Sequence, residues 1–280
     1  MPNYLISIAL AAALVVGCGK DGGDSKPANH RDETGATTPR TGGDVEQTPE
    51  TPASEAPSGP KGSIKGTVKF TGTAPKMPKL LTGSDPVCAR TEKFAETVVV
   101  NENGTLRDVV VRVEPGTVPG WVPKDVIEVD QKDCVYQPRV QTGVIGQTIE
   151  VSNSDNTMHN VHVRGMNIDK RQAHRTLFNR PQPAGASPVQ AKVKGVDVVK
   201  LKCDAHAWMQ AYVAMSDQPY AAVTATDGSF EIKDVPAGVL KLQIWHQYYG
   251  LKSADVTVED GKTAEVEYTY DGQADAPPGN

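Results

Sequence analysis

Two short segments of this sequence carry the residue types that bind transition metals. The first, TMHNVHV, covers residues 157–163, and the second, CDAHAWM, covers residues 203–209. The second segment places a thiol, an imidazole and a thioether at three-residue intervals, in Cys203, His206 and Met209. This spacing allows one loop to present all three donor atoms to a single ion.

The chemistry of these donors favours copper. Cysteine and methionine are soft ligands, and imidazole suits copper, zinc, iron and nickel, so the combined set points to copper. Zinc sites are built from thiolate, imidazole and carboxylate groups and rarely include a thioether. Two histidines and one cysteine with a weak axial methionine form the arrangement of blue-copper electron-transfer centres. Without its spacing, Met209 would be interpreted as an ordinary core residue.

The second imidazole must come from the first segment, which offers His159 and His162. Side chains alternate between the two faces of a strand, so His159 shares a face with Val161 and His162 shares one with Asn160. The apolar face is expected to point inward. We therefore predict that His159 is the ligand and that His162 points outward.

The segments around these motifs read almost throughout as β-strands, in which β-branched residues alternate with polar ones. The predicted strands are 63–70, 97–102, 108–113, 125–130, 147–153, 161–165, 189–193, 196–203 and 211–216, with four more before residue 271. Turn signals such as ATDG and VPAG separate them, and no amphipathic helix of useful length is found. The folded part is predicted to be all-β and of the sandwich class.

Taken together, MHNVH and C-x-x-H-x-x-M resemble the motifs of the cupredoxin family, from about residue 95 to residue 217. The resemblance implies a Greek-key β-sandwich that holds one copper ion per chain. It carries over His159, Cys203, His206 and Met209 as the copper ligands. The long segment 164–190 is the main departure from the family.

The resemblance also implies roles for residues beside the ligands. In plastocyanin-like members the Asn after the first ligand ties the ligand loops together, a role that would fall to Asn160. The family usually has Ser or Thr after the Cys, whereas this chain has Asp204. The resemblance therefore does not decide whether Asn160 ties the two ligand loops together here. Trp208 is expected to pack beside the site with partial exposure, and His206 to be the electron port.

A second resemblance lies in residues 220–270. The stretch TDGSFEIKDVPAG resembles part of the carboxypeptidase regulatory-like domain, a small transthyretin-like β-sandwich. Such a domain opens with a G-x-I-x-G-x-V strand, which is found instead at GSIKGTV, residues 62–68. We therefore predict that residues 62–76 complete a C-terminal sandwich of residues 218–271, with the copper domain 77–217 inserted and a tail at 272–280. His246 is expected to be a core or interface histidine rather than a second metal ligand.

The N-terminus has the pattern of an export signal. Residues 1–17 contain a short apolar run that ends in small residues before Cys18, which resembles the lipobox of bacterial lipoproteins. The alternative is a disordered apolar N-terminus with a stray cysteine. Residues 18–61 are rich in Gly, Pro, Ser, Thr and charge, and predict a disordered linker. We expect an extracytoplasmic protein with lipid on Cys18. If the organism has an outer membrane, Gly19 rather than Asp after Cys18 favours that membrane by analogy with known lipoproteins.

Two of the four cysteines, Cys88 and Cys134, remain after Cys18 and Cys203 are assigned. A disulfide between them is the economical interpretation in a compartment that permits disulfides. Two free buried thiols are the alternative, because the sequence does not supply the Cα separation.

The remaining sequence narrows the function class. A net charge of -5 gives no basic footprint for nucleic acid. Hydrolase, phosphate-loop and haem-attachment motifs are absent, and six histidines are too few for an oxidase with further copper sites. We expect a one-electron carrier for redox partner proteins, not an enzyme. The alternative is non-redox copper binding or delivery, with the second sandwich as an adhesion module.

Overall fold

A computed structural model describes residues 55–169 and 173–273, and these ranges are built almost entirely from β-strands. The predicted signal peptide, the lipidation of Cys18, most of the linker and most of the C-terminal tail lie outside the described residues. Within the described ranges, no helix is long and apolar enough to cross a membrane.

Sixteen strands and one short 3-10 turn, Cys88–Arg90, lie in the described ranges. The strands are β1 Lys61–Phe70, β2 Val110–Val113, β3 Ile127–Lys132, β4 Val135–Gln137, β5 Val140–Val144, β6 Thr148–Asn153, β7 His159–Met166, β8 Ala173–Gln182, β9 Val189–Lys192, β10 Val198–Lys202, β11 Gln210–Ser216, β12 Ala221–Val223, β13 Ser229–Pro236, β14 Gly238–His246, β15 Gly250–Val258 and β16 Thr263–Tyr270. The all-β prediction is confirmed.

The first sandwich contains both metal-ligand motifs. Its sheets have the strand orders β5-β11-β10-β7-β8 and β4-β3-β6-β9. Alternation along β6 and β7 turns Ile149, Val151, Val161 and Val163 inward. These side chains share one buried core with Cys203 and residues of β3, β10 and β11.

The second sandwich is assembled from distant parts of the chain. Its sheets have the orders β13-β1-β16 and β12-β2-β14-β15. The opening strand β1 lies at the centre of the first of these sheets, antiparallel to β13 and parallel to β16. Strand β2 comes from the range 77–217, which the sequence assigned to the copper domain, yet it pairs with β12 and β14. The chain therefore contributes two strands to the second sandwich before it forms the first.

Several strands differ from those that the sequence predicted. Residues 97–102 form only an isolated bridge, between Val100 and Leu106. Strands β4, β5 and β8 are additional, and five strands rather than four lie between residues 217 and 271. Strand β8 fills the long segment 164–190 by pairing with β7. Most of β8 is exposed, so it lacks the inward apolar alternation by which strands are recognised.

The outer faces of two sheets pack against each other and join the sandwiches. Alternate residues of β11 and β14 point away from their own cores, and Tyr212 meets Trp245 edge-on, with ring centroids 5.9 Å apart. A small apolar cluster surrounds this contact, and its members are Val110, Val140, Met166, Ile168, Val198, Tyr212, Ala214 and Trp245.

Arg112 on β2 crosses this contact and is only 2% exposed. Its Nη1 donates to the carbonyl oxygen of Met215 on β11 at 2.7 Å. Its Nε and Nη2 donate to Oε1 of Gln243 on β14 at 2.9 and 2.8 Å. Burial lowers the pKa of Arg112, and a buried charge is stable only where hydrogen-bond acceptors surround it.

We expect Gln243→Leu to lower the free energy of unfolding by about 3 kcal/mol, because it leaves two guanidinium N–H groups of a buried charge without an acceptor. Urea denaturation followed by tryptophan fluorescence measures the loss. Gln190→Leu on exposed β9 is the control and should change stability by less than about 0.5 kcal/mol. Equal effects of the two substitutions would contradict the role assigned to Arg112.

His246 lies in the core of the second sandwich, 1% exposed and stacked on Tyr249. Its Nδ1 accepts the backbone N–H groups of Tyr248 and Tyr249 at 3.2 and 3.3 Å, and its Nε2 has no partner. Burial, with a smaller effect from the Arg139 charge, lowers the pKa of His246 to about 3. The ring is therefore neutral in the folded protein at neutral pH.

We expect His246 to make the fold sensitive to acid. Between the ordinary pKa of 6.5 and the folded value of about 3, the unfolded chain binds a proton that the folded protein does not. Stability therefore falls as pH falls in this window, by up to about 1.4 kcal/mol per pH unit from this residue. His246→Asn retains an acceptor but does not titrate. Urea denaturation of the metal-free protein at pH 7, 5 and 4 should show a smaller loss for this variant, and parallel losses would refute the expectation.

Candidate metal centre

Strand β7 and the loop after β10 bring three donor residues together. His159 is the first residue of β7, and Cys203 follows the last residue of β10, which pairs antiparallel with β7. His206 lies in the loop between β10 and β11. All three side chains are buried, because strand alternation and the closed loop turn them toward the core of the first sandwich.

The donor atoms of these residues face one point. His159 Nδ1 and His206 Nδ1 are 2.9 Å apart, and Cys203 Sγ lies 3.9 and 3.7 Å from them. A point equidistant from the three atoms lies about 2.1 Å from each, close to the bonds that imidazole and thiolate make with a late first-row ion. The residues present therefore fit one metal ion.

Two backbone hydrogen bonds close the loop that ends at Met209. The N–H of Met209 donates to the carbonyl oxygen of His206 at 2.9 Å, and the N–H of Cys203 donates to that of Met209 at 3.3 Å. Met209 is fully buried in the same core cluster as Cys203. The predicted fourth ligand thus lies at the end of a tight loop beside the other three.

Carboxylates bind the outer nitrogens of both histidines. Asp155 Oδ2 lies 2.9 Å from His159 Nε2, and Asp85 Oδ2 lies 3.2 Å from His206 Nε2. With a carboxylate as acceptor, Nε2 carries the proton and Nδ1 keeps its lone pair for a metal. Sequence reasoning missed both residues. Asp155 lies two residues before the first motif, close enough for its sequence position to suggest a contact, whereas Asp85 is remote from both motifs.

Each carboxylate is fixed by further donors. Thr157 Oγ1 donates to Asp85 Oδ2 at 2.6 Å, and this bond, with those from backbone N–H groups, lowers the pKa of Asp85 to about 2. The Asp155 oxygens accept the N–H groups of Asp133 and Cys134 at 2.7 and 2.8 Å. These two residues form the β3–β4 turn and both have φ of 55°, as a tight hairpin turn requires.

Burial lowers the pKa of His159. The ring is therefore uncharged at neutral pH, which is the state that binds a metal ion.

A disulfide between Cys88 and Cys134, with Cα atoms 5.5 Å apart, lies against the site. Cys88 Sγ is 3.8 Å from His206 Nε2. Trp208 is partly exposed, donates from Nε1 to the carbonyl oxygen of Cys134 at 2.9 Å, and has its ring centroid 5.0 Å from that of His206. His206, the residue that the family resemblance implies as the electron port, is consequently only 4% exposed.

Asn160 joins the two ligand segments. Its Oδ1 accepts the backbone N–H groups of Asp204 and Ala205 at 2.5 and 3.3 Å, and its own backbone N–H donates to Cys203 Sγ at 3.4 Å. The tether uses the backbone of Asp204, so it does not need the Ser or Thr that the family usually has at this position.

The Asp204 side chain faces outward into a polar cluster. It accepts from Lys202 Nζ at 2.9 Å, His162 Nδ1 at 2.9 Å and Asn179 Nδ2 at 2.7 Å. These hydrogen bonds, that of Lys202 foremost, lower the pKa of Asp204. His162 also lies 2.9 Å from Thr176 Oγ1 through Nε2. It therefore occupies the outer face of the sheet, away from the three donors.

A scan against protein-family models and a search of curated proteins both find no match. Among solved structures, a purple cupredoxin from Nitrosopumilus maritimus matches at 19% identity and TM-score 0.27, covering 32% of this chain and 99% of that chain. A mutant of amicyanin in its oxidised state matches at 19% identity and TM-score 0.28, covering 32% and 82%. A copper-containing nitrite reductase from Thermus scotoductus matches at 16% identity and TM-score 0.29, and the match covers 38% of this chain and 26% of the nitrite reductase chain.

We expect the disulfide to protect the buried thiol of Cys203. In a Cys18→Ser background, Cys203 is the one free cysteine of the chain. Replacing both Cys88 and Cys134 by Ser releases the segment that carries Asp85, and should raise the rate at which Ellman's reagent modifies the metal-free protein about tenfold or more, through local opening. Gln243→Leu, which weakens the fold elsewhere, is the control. If Gln243→Leu accelerates the modification of Cys203 equally, global unfolding controls access to the thiol, and the expected protection by the disulfide is contradicted.

Proposed function

We propose that this chain is an extracytoplasmic copper protein with a type 1 site that carries single electrons. One observation carries the proposal: two imidazole Nδ1 atoms and the sulfur of one cysteine converge in a buried site, each imidazole with its outer nitrogen bound by a carboxylate. A cysteine sulfur and two imidazoles suit copper and zinc alike, and the thioether of Met209 in the same buried cluster favours copper.

When bound, copper would supply the one-electron couple between Cu(II) and Cu(I). His159 and His206 would hold it through Nδ1 and Cys203 through Sγ, and Met209 is the candidate fourth ligand. The backbone N–H of Asn160 points to Cys203 Sγ and stabilises negative charge on sulfur, one of the means by which a protein sets the reduction potential of such a site.

The chain restrains its ligands in a way that suits electron transfer. Asp155 and Asp85 fix the orientation of the two rings, and Asn160 fixes the ligand loop. Outer partners of this kind hold a ligand in one orientation whether or not the charge of the metal changes. Small rearrangement between the two oxidation states follows from this rigidity.

The proposed location follows from the N-terminal sequence. Lipid on Cys18 would anchor the protein to the cell envelope, at the outer membrane where the cell has one. The linker of residues 18–61 would span about 35–40 Å as a flexible coil, so that the copper domain could reach redox partner proteins near the membrane surface.

A second candidate function is copper binding or delivery without a redox role. The observation that favours a non-redox role is the burial of His206, 4% exposed beneath Asp85 and the disulfide, which leaves no ligand edge open to a redox partner. Voltammetry and a chelator competition assay separate the two candidate functions. A reversible one-electron wave with fast self-exchange supports the carrier, whereas rapid loss of copper to a chelator supports delivery.

The copper-loaded full chain tests the site itself. With Cu(II) we expect an intense visible band from thiolate-to-copper charge transfer, together with the electron paramagnetic resonance spectrum of a thiolate-bound Cu(II). Cys203→Ser should abolish the band, because the donor sulfur is lost. His162→Gln is the matched control and should retain the band, because His162 bonds Asp204 on the outer face. A colourless wild-type protein after copper loading would overturn the proposal.

A further inference from the structure

Two neighbouring rows of basic residues cross the outer face of the five-stranded sheet. In the antiparallel pairing of β10 with β7, Lys202 lies opposite His162, and Lys200 lies opposite Arg164. The first row has its own counterion, because Asp204 Oδ1 lies 2.9 Å from Lys202 Nζ and Asp204 Oδ2 lies 2.9 Å from His162 Nδ1. The second row differs in this respect.

Lys200 and Arg164 face each other without an acidic partner. In residues 55–169 and 173–273, neither side chain forms an ion pair, whereas Lys202 beside them does. Arg164 donates from Nη2 to the carbonyl oxygen of Ala173 at 3.1 Å, and its Nε is buried without an acceptor. Like charges directly opposite each other across two strands are destabilising. A negative group between Lys200 and Arg164 would therefore stabilise this row.

The surroundings strengthen the positive potential at Lys200. Its Nζ lies 5.5 Å from the centre of the Tyr212 ring, and the guanidinium carbon of Arg139 lies 5.8 Å from the centre of the same ring. Arg139 approaches Asp108, which also pairs with Arg107, so little negative charge is left for Lys200. Burial, and then the charges of Arg164, Lys202 and Arg139, lower the pKa of Lys200.

We propose that Lys200 and Arg164 bind a small oxyanion, a phosphate or a carboxylate, on the outer face of the sheet. Such a ligand supplies the acceptor that Arg164 Nε lacks and the counterion that Lys200 lacks, in charge-assisted hydrogen bonds. Tyr212, which also contacts Trp245 of the second sandwich, forms an apolar wall beside the site. The site therefore borders the junction of the two sandwiches, a frequent location for ligand sites.

This binding site is independent of the metal centre, because none of its residues is a metal donor. The metal-free full chain is therefore the material for the test. Isothermal titration calorimetry with inorganic phosphate, against chloride at the same ionic strength, measures binding, and a parallel titration with acetate distinguishes a phosphate site from a carboxylate site. Saturable binding of one of these anions is expected.

Variants identify the residues that bind. Lys200→Gln and Arg164→Gln should each weaken binding about tenfold or more, since each removes one charge-assisted contact. Lys241→Gln removes the same charge from an exposed position on β14 and should leave affinity unchanged. Amide chemical shifts of the wild-type protein provide a second measurement that needs no variant, and saturable changes should centre on residues 164, 200 and 212. No saturable binding, or equal loss in Lys241→Gln, would overturn the proposal.

Discussion

The metal centre depends on an electrostatic constraint between two imidazole rings. With Asp155 and Asp85 accepting from the Nε2 atoms of His159 and His206, both Nδ1 atoms present lone pairs to each other at 2.9 Å. Two lone pairs at this distance repel unless a cation lies between them, either a proton or a metal ion. Cys203 Sγ lies within 4 Å of both nitrogens and offers a soft donor at the same point. The arrangement thus creates a demand for a cation, and a cysteine sulfur beside two imidazoles suits a soft metal.

The unusual chain topology supplies this constraint. The segment between β1 and β2 begins and ends in the second sandwich, where Val98 and Leu106 belong to the core. Its middle part leaves that sandwich and passes over the first one, where Cys88 joins the other core and forms the disulfide with Cys134. Because this segment crosses the first sandwich, Asp85 lies within hydrogen-bond distance of His206. The second sandwich is therefore the anchor of the segment that orients one ligand, and Arg112 joins the two bodies across the same junction.

Sequence reasoning recovered the parts of this design that are encoded locally. Ligand softness and the three-residue spacing in CDAHAWM are local properties, and alternation along one strand separates buried His159 from outward His162. The contact between Asp85 and His206 spans 121 positions and has no local signature. Alternation also does not reveal to which sheet a strand belongs, so β2 was assigned to the wrong sandwich. β8 was missed because its exposed residues, Pro181 included, lack the apolar period of a strand.

The cover over His206 has consequences for how the site exchanges electrons or copper. Asp85, Cys88 and Trp208 surround the ring, so water is excluded from the ligand edge and the local dielectric is lowered. In the proposed carrier, an electron that leaves through His206 would pass through one of these groups, and Cys88 Sγ at 3.8 Å and the Trp208 ring at 5.0 Å are the polarizable ones. Release of a bound copper ion would instead require Asp85 and the disulfide-bound segment to move. Such a cover would favour retention of the metal over its transfer, which is the physical reason for proposing electron carriage before delivery.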